Sequence, residues 1–383
     1  MLFEFATAAR IVCGPGSSAE LPGIACAFGK QALVVTGRSV NRIQHLIESL
    51  HHKGIATSLC SVEGEPTVDG VRLGAQQARG DCDLVIGIGG GSAIDAAKAI
   101  AALAANSGDP MDYLEVIGKG RPLEKTPLPF IAVPTTAGTG AEVTRNAVLG
   151  SPTHGVKASL RGAALLAKAA IVDSNLTLEL PPDITAATGL DALTQVIEPF
   201  VSIRANPMTD QFCREGMRLI SASLQRAFHN GHDAAARECM SFASLLGGLS
   251  LANAGLGVVH GFAAPLGGML HAPHGALCAA VLPYGMAQNI AALRTRAPEH
   301  PSLTKYREAA RILTGVVDAE PEDAVVWVRG LCDDLEIPRL RTYGLVQSQI
   351  PELVAKAAQA SSMKANPLPL TNSELTAVID QAL

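Results

Sequence analysis

The stretch Leu84-Val-Ile-Gly-Ile-Gly-Gly-Gly-Ser-Ala-Ile-Asp-Ala-Ala-Lys98 decides the fold class of this chain. Its apolar start predicts a buried strand, its glycine cluster a tight turn, and its alanine-rich end a helix over residues 93–105. Adjacent glycines let the backbone approach an anion, and a helix start offers unpaired N–H groups and a positive dipole end. Ser92 is expected to cap this helix, with Asp95 completing a capping-box-like pair. The stretch therefore predicts a phosphate or dinucleotide site, although a tight turn without a ligand is the alternative.

Other short apolar runs, each next to a helical pattern, surround this stretch at residues 31–36, 128–133 and 170–173. Strands that lack a two-residue alternation and are separated by helices indicate a parallel sheet covered on both faces. Ligands of such sheets bind outside the carboxyl ends of the strands, which is where the glycines fall here.

The pattern becomes helical after Pro181-Pro182. Helical spacing of apolar residues covers 184–201, 208–228, 233–251 and 306–314, with no clear strand among them. We therefore predict an α/β dinucleotide-binding domain with a parallel sheet over residues 1–178. An all-helical domain for metal and substrate follows over residues 179–383.

The composition excludes several classes of partner. The 383 residues carry a net charge of −5 and no large basic stretch, which argues against nucleic-acid binding. The eight cysteines form no CxxC pair, which indicates free buried thiols in a reducing cytoplasm. The N-terminus has an acid at Glu4 and no basic segment before an apolar run, so it does not read as a signal peptide and a cytoplasmic protein is expected.

A stretch without any charged side chain, residues 239–293, raises the question of a membrane span. Its segment 242–259 is long enough to cross a bilayer. However, the stretch contains nine glycines, three prolines and three histidines, and imidazoles are costly in lipid. We therefore predict a buried helical core and no membrane contact.

A second loop rich in glycines and hydroxyls, Val133-Pro-Thr-Thr-Ala-Gly-Thr-Gly-Ala-Glu-Val-Thr144, follows a predicted strand. Its position suits it to add hydrogen-bond donors to a nucleotide. By itself, an ordinary turn explains the loop equally well.

The second half holds a carboxylate and several histidines with the spacing of a site. Asp191 and Gln195 lie four residues apart, hence on one face of a helix. His260, His271 and His274 lie within the stretch that has no charges. An isolated buried carboxylate or core histidine usually has only a structural role, but several imidazoles near a carboxylate favour a metal site or a proton relay.

Four segments together carry a resemblance: the stretch 84–98, the loop 133–144, the helix segment 189–198 and the histidine segment 259–275. They resemble the iron-containing (group III) alcohol dehydrogenase family, part of the dehydroquinate synthase-like superfamily. Lys157 before Ala-Ile-Val-Asp173, Asn206-Pro-Met-Thr-Asp210 and Asn366-Pro extend the resemblance nearly from end to end. The resemblance implies a nicotinamide-dependent enzyme with a divalent metal. It assigns the pyrophosphate to Gly89, Gly90, Gly91, Ser92 and Asp95, the adenine–ribose side to Thr135, Thr136 and Thr139, the ribose to Lys157, and the metal to Asp191, His260 and His274.

The sequence departs from the family pattern at two histidines. Gln195 stands where the family carries a metal-binding histidine, and Ala264 stands where many members carry a histidine for proton transfer. An amide oxygen is a poorer ligand for Fe²⁺ or Zn²⁺ than imidazole, so Gln195 marks a weak fourth position in a three-ligand site. A metal-free reductase, in which His260 and His274 bind the substrate carbonyl, is the alternative. His271 is the candidate to replace the missing proton relay.

The choice of cofactor depends on the loop after the first predicted strand of the sheet. An acid there would bind the ribose 2′-hydroxyl of NAD, but the segment Thr36-Gly37-Arg38-Ser39 carries none. Gly37 gives room, and Ser39 and Arg38 suit a 2′-phosphate. We therefore expect NADP, or the use of both NADP and NAD, unless Arg38 is simply a solvated loop charge.

The resemblance and these departures together predict reversible hydride transfer between nicotinamide and a small alcohol, aldehyde or keto acid, in a homodimer. Three alternatives stay open. They are a metal-independent reductase of the maleylacetate-reductase type, a catalytically degenerate nucleotide-binding sensor, and the lyase chemistry of dehydroquinate synthase. The last would need a basic pocket, of which the helical half shows little.

Overall fold

The computed structural model of the chain describes residues 2–270 and 272–383. These residues separate into two compact units. The α/β unit comprises residues 6–136 and 140–177, and the helical unit comprises residues 2–5, 137–139 and 178–383.

Six parallel strands form the sheet of the α/β unit, in the order β1-β8-β5-β4-β2-β3. Two further strands, β6 and β7, pair as an antiparallel hairpin. The strands are β1 Ile11–Cys13, β2 Gln31–Thr36, β3 Ala56–Ser61, β4 Leu84–Gly89, β5 Phe130–Pro134, β6 Asn146–Ser151, β7 Val156–Arg161 and β8 Ala169–Val172. The predicted parallel sheet is confirmed, and its central strands are buried on both faces, as the unbroken apolar runs require.

Five helices connect these strands: α1 Leu21–Ala25, α2 Gln44–His52, α3 Val68–Ala78, α4 Gly91–Ala105 and α5 Pro110–Tyr113. Helix α4 is rich in alanine, and ten of its fifteen residues are buried. Its small side chains let it pack closely on β4, where a Cβ at Gly87 would lie 2.9 Å from the Cβ of Ala97. This close packing fixes the start of α4 directly behind the end of β4.

Nine helices form the described part of the helical unit. They are α6 Pro182–Val201, α7 Pro207–His229, α8 Ala234–Ala254, α9 Val258–Leu270, α10 His274–Arg296, α11 Pro301–Thr314, α12 Pro321–Asp334, α13 Ile350–Gln359 and α14 Asn372–Ala382. Asn206 caps α7 by accepting hydrogen bonds from the N–H groups of Met208 and Thr209, and Pro207 occupies the first helical position. The predicted α/β-plus-helical fold class is confirmed.

The apolar helices of this unit lie in its core. Helix α10 is long and apolar enough to cross a membrane, but 78% of its most apolar window is buried inside the protein. Helices α8 and α9 pass the same test only as a pair, and they meet at an angle of 99°. Burial of this extent is typical of core helices, as predicted for the stretch without charges.

Candidate active site

The glycine loop lies between β4 and α4. Gly90 is the N-cap of α4, and no side chain among the described residues caps this helix. A Cβ at Gly89 would lie 2.7 Å from the Cβ of Ala93, so only glycine fits at this position. The uncapped N–H groups of the first turn are therefore free to bind an anion.

The predicted cap by Ser92 is wrong. Helix α4 begins at Gly91, so Ser92 already lies inside its first turn. The carboxylate of Asp95 points elsewhere, because it accepts a hydrogen bond of 2.9 Å from the backbone N–H of Val148 and lies 3.4 Å from Nζ of Lys98. These contacts tie α4 to β6. Contact between Asp95 and a cofactor stays a prediction.

Residues of two neighbouring loops lie at the glycine loop, as expected for adjacent parallel strands. The N–H of Thr135 donates to the Gly89 carbonyl at 2.9 Å. A Cβ at Gly90 would lie 3.3 Å from Cγ2 of Thr136, and one at Gly89 would lie 3.6 Å from the Gly37 nitrogen. The structure thus brings together these predicted cofactor residues at the carboxyl ends of β2, β4 and β5. Thr139 belongs to the short segment of the helical unit, residues 137–139.

Two cations predicted to contact the cofactor are paired with acids. Lys157 is nearly buried on β7 and its Nζ lies 3.0 Å from Oε1 of Glu65. Arg38 and Glu63 form an exposed pair with 3.1 Å between Nη2 and Oε2. An exposed ion pair contributes only about 0–1 kcal/mol, so Arg38 can exchange Glu63 for a phosphate at little expense. Ser39 is exposed beside Arg38.

Four potential metal ligands converge in the helical unit. Asp191 of α6, His260 of α9, and His274 and Cys278 of α10 each offer one ligand atom, and these atoms all lie within 4.8 Å of one another. From Oδ1 of Asp191, Nε2 of His260 lies at 3.4 Å and Nε2 of His274 at 4.0 Å. Sγ of Cys278 lies 3.6 Å from Nε2 of His274. Three of these residues are those predicted to bind metal, and Cys278 was not predicted.

The donor set fits a divalent metal ion. Asp191 is almost completely buried, yet its Oδ1 accepts no hydrogen bond from any described residue. Such an orphaned carboxylate oxygen is costly unless a cation or an ordered water satisfies it. Imidazole, carboxylate and thiolate are also the ligands that zinc takes in proteins. A metal at this position would therefore satisfy Asp191 and use the donors that surround it.

Gln195 contacts Asp191 through its amide nitrogen. Nε2 of Gln195 donates to Oδ2 of Asp191 at 3.0 Å, one helical turn away on α6. This bond occupies Oδ2, so Oδ1 is the oxygen of Asp191 that lies next to the other potential metal ligands. Oε1 of Gln195 is buried and has no partner within the described part of the chain. The geometry thus makes Gln195 a positioning residue for Asp191, whereas metal ligation by Gln195 stays a prediction.

Glu198 orients His260 and was not predicted from the sequence. Nδ1 of His260 donates to Oε2 of Glu198 at 2.7 Å, and Oε1 accepts the Val259 N–H at 2.7 Å. A hydrogen bond from one ring nitrogen to a carboxylate fixes the tautomer that leaves the other nitrogen free to bind a metal. The signal was available in the sequence, because Glu198 follows Asp191 by seven residues, or two turns of the same helix face.

A buried amide network holds the start of α9. Oδ1 of Asn366 accepts the Val258 N–H at 3.1 Å, and Nδ2 of Asn366 donates to Asn289 at 2.7 Å. A Cβ at Gly257 would lie 2.8 Å from Oδ1 of Asn366 and 2.9 Å from Oε1 of Glu198. Glycine is therefore required where these two acceptors meet the helix, three residues before His260.

The electrostatics of the cluster depend on its close packing. Burial disfavours the charged carboxylate of Asp191, but the neighbouring His260 and His274 outweigh this effect and lower its pKa. Burial likewise disfavours imidazolium at His260, yet Cys278, Asp191 and Glu198 together raise its pKa well above the ordinary value. Without metal, the cluster thus holds protons that a metal ion would displace.

Residues 264 and 271 are the two positions that bear on proton transfer. His271 lies outside the residues that the structure describes, so its role stays a prediction. Ala264 lies on α9, one turn after His260, and has no group that can transfer a proton.

Comparison with known proteins gives consistent matches along the chain. Residues 8–174 match the family model of iron-containing alcohol dehydrogenase, and residues 185–383 match the C-terminal model of the Fe-containing alcohol dehydrogenase family. The chain is 37% identical to long-chain-alcohol dehydrogenase 1 of Geobacillus thermodenitrificans, over 92% of this chain and 89% of the relative.

Two solved structures are similar over almost their full length. A 1,3-propanediol oxidoreductase has a TM-score of 0.93 at 31% identity and covers 100% of both chains. Sulfoacetaldehyde reductase from Bifidobacterium kashiwanohense in complex with NAD+ has a TM-score of 0.86 at 29% identity, and covers 99% of this chain and 98% of its own. These matches confirm the resemblance that the sequence motifs indicated.

Proposed function

Because the chain belongs to the iron-containing alcohol dehydrogenase family, we propose that it catalyses reversible, NAD(P)-dependent hydride transfer between small alcohols and their aldehydes or keto acids, with a divalent metal in the Asp191 cluster. The observation that carries this proposal is the buried Oδ1 of Asp191, which accepts no hydrogen bond from a described residue and lies 3.4 and 4.0 Å from two imidazole nitrogens. The enzyme class, an oxidoreductase acting on alcohols, follows from its relatives.

Asp191, His260 and His274 would hold the metal. When bound, a divalent ion at such a site supplies Lewis-acid polarisation of the substrate oxygen. The chain's own residues prepare the ligands. Gln195 fixes the Asp191 carboxylate through Oδ2, and Glu198 keeps the proton of His260 on Nδ1.

Burial and the lack of charges lower the polarity of the surroundings of Asp191 and His260. Asp191 and His260 are buried, and no Asp, Glu, Lys or Arg occurs between residues 239 and 293. In a medium of low polarity the attraction between ligands and a cation is stronger than in water. His274 is the most exposed of the four donors, with 34% of its side chain accessible, so it lies where substrate and solvent can arrive.

The glycine loop would bind the pyrophosphate of the cofactor through the first-turn N–H groups of α4. A related structure holds NAD+, which supports a nicotinamide dinucleotide but leaves the choice of 2′-substituent to this chain's own residues. Arg38 and Ser39 are exposed and suit a 2′-phosphate, whereas no acid follows β2 to repel one. We therefore propose that the enzyme accepts NADPH as well as NADH.

The test measures oxidation of NADH and NADPH against a panel of aldehydes and keto acids. The protein is assayed as purified, after treatment with a chelator, and after restoration with Zn²⁺ or Fe²⁺. We expect turnover that is lost with the metal and restored by it, and Asp191→Asn should lose both activity and bound metal. The matched control is Asp210→Asn, whose carboxylate pairs with Lys305 instead.

Two results would contradict the proposal. Absence of turnover in every state would refute the dehydrogenase function. Full turnover after complete metal removal would instead favour the metal-independent reductase, which the amide at Gln195 makes the second candidate.

A further inference from the structure

A buried thiol belongs to the cluster that holds the two histidines. Cys278 lies on α10, four residues after His274, so both side chains extend from the same helix face. The cysteine is completely buried, and its Sγ lies 3.6 Å from Nε2 of His274 and within 4.8 Å of the Asp191 and His260 donors. Its position is therefore that of a metal ligand.

An independent observation indicates that this cluster expects a cation. Oδ1 of Asp191 is buried and accepts no hydrogen bond from the part of the chain that the structure describes. Each of the other three residues brings its donor atom toward this oxygen. A buried thiol alone is usually inert packing, but a thiol beside two imidazoles and an orphaned carboxylate oxygen has the composition of a zinc site.

The arrangement also accounts for the amide at Gln195. On α6 the residue one turn after Asp191 is Gln195. Its amide oxygen is a poorer metal donor than imidazole, and its amide nitrogen is hydrogen bonded to Oδ2 of Asp191. On α10 the residue one turn after His274 is Cys278, whose sulfur lies 3.6 Å from Nε2 of His274 and within 4.8 Å of the other donor atoms. The Cys278 thiol on α10 is thus a stronger potential metal donor than the Gln195 amide on α6.

We propose that Cys278 is the fourth protein ligand of the metal, and that its thiolate strengthens the preference of the site for Zn²⁺ over Fe²⁺. On binding, the S–H bond breaks, the proton passes to solvent, and a sulfur lone pair forms the bond to the metal. No electron is transferred in this step. Soft thiolate donors favour zinc, so a thiolate adds to the preference that a site of carboxylate and imidazole already has. This inference rests on the proposed metal role of the same cluster.

The test uses the metal-free full-length protein loaded with Co²⁺ or Zn²⁺ alone, and its readouts are spectroscopic. Co²⁺ bound to a thiolate gives an intense sulfur-to-cobalt charge-transfer band in the near ultraviolet, which nitrogen and oxygen donors do not give. X-ray absorption of the zinc form should contain one sulfur scatterer at about 2.3 Å in addition to nitrogen and oxygen at about 2.0–2.2 Å.

Variants separate ligation from folding. Cys278→Ser keeps the shape of the side chain, and should remove the band and weaken Zn²⁺ binding by more than about tenfold, since even outer partners of ligands contribute 10–100-fold. The matched control is Cys213→Ser, another completely buried cysteine, on α7, and should leave the band unchanged. In the Cys278→Ser background, Gln195→His should restore Zn²⁺ affinity without restoring the band.

The outcomes distinguish this inference from the proposed function. Co²⁺ bound with wild-type stoichiometry but without the band would overturn ligation by Cys278 and leave the three-residue metal site standing. Failure of the protein to bind any divalent metal would overturn both. A band that persists in Cys278→Ser would place the thiolate elsewhere and also refute the inference.

Discussion

The substitution Glu198→Gln separates the orienting role of this carboxylate from its shape. In the wild type, Oε2 accepts the His260 Nδ1 proton at 2.7 Å and Oε1 accepts the Val259 N–H at 2.7 Å. Glutamine keeps only one acceptor. If that oxygen stays on Val259, an amide N–H faces Nδ1, which must then become an acceptor and move the imidazole proton to Nε2. If the amide turns over, the Val259 N–H is left buried beside a second donor.

The size of the effect follows from these two cases. A protonated Nε2 cannot bind metal, and changes to such orienting partners typically cost about 10–100-fold in metal affinity, or about 1.4–2.7 kcal/mol. Both partners of the bond are about 6% exposed, so solvent cannot replace the lost acceptor. In the turned-over case, the unpaired backbone N–H costs about 1–3 kcal/mol of stability. We expect Zn²⁺ affinity to fall by about 10–100-fold in the first case, and the free energy of unfolding to fall in the turned-over case.

The assay is competition for Zn²⁺ against a chromophoric chelator, with metal-free proteins of equal folded fraction by circular dichroism. Glu308→Gln serves as the control, because its carboxylate accepts a bidentate bond from Arg214 rather than from a histidine of the cluster. A Zn²⁺ affinity of Glu198→Gln within about threefold of the wild type, together with an unchanged free energy of unfolding, would refute the argument.

Three further predictions concern packing, protonation and cofactor choice. Gly257→Ala would force a Cβ to within 3 Å of oxygens of both Glu198 and Asn366, so we expect a loss of about 1–3 kcal/mol in unfolding free energy and weaker Zn²⁺ binding, measured by denaturation and chelator competition. Burial raises the pKa of Glu142 to about 7 from 4.5, so unfolding free energy should fall by about 3 kcal/mol as pH rises from about 4.5 to about 7, and Glu142→Gln should remove this fall in denaturation series at each pH. Arg38→Ala should raise the KM for NADPH by about tenfold and change that for NADH little, because a charged hydrogen bond to a phosphate is worth about 1.5–3 kcal/mol before solvent screening at an exposed site.

Each of these three variants has a control or an outcome that would contradict the prediction. Gly330→Ala on α12, where a Cβ meets nothing within 4 Å, should not destabilise the protein, and an equally mild Gly257→Ala would contradict the packing argument. A fall of stability with pH that persists in Glu142→Gln would assign it to other groups. Lys53→Ala removes an exposed cation just after α2, and should leave both KM values unchanged. An equal rise in both KM values for Arg38→Ala would exclude recognition of the 2′-phosphate.

The sequence predicted the fold wherever burial makes a strand unambiguous. β4 is buried at every position and ends in glycines, so its apolar run could be read directly. β3 lies at the edge of the sheet, with every residue at least partly exposed, and β6 alternates between buried and half-buried positions. Edge strands need few apolar residues, so neither gave an apolar run longer than three residues. Helix boundaries were similarly limited, because the start of α4 depends on how closely Gly89 approaches Ala93 rather than on the capping propensity of Ser92.

The metal site was predicted only as far as residue type allows. Histidine and aspartate are common metal ligands, so Asp191, His260 and His274 could be predicted from residue type. Cys278 was interpreted with the other cysteines as a buried thiol, because the sequence has no CxxC spacing. Its spacing of four from His274 is a helical signal, but it becomes meaningful only once α10 packs against α6 and α9. Likewise, the absence of histidine at residue 195 indicated a lost ligand. The geometry changes this interpretation, because the Gln195 amide positions Asp191 while a thiol on the facing helix completes the donor set. A comparison of single positions detects such a loss, and only the packing of the helices reveals where a replacement lies.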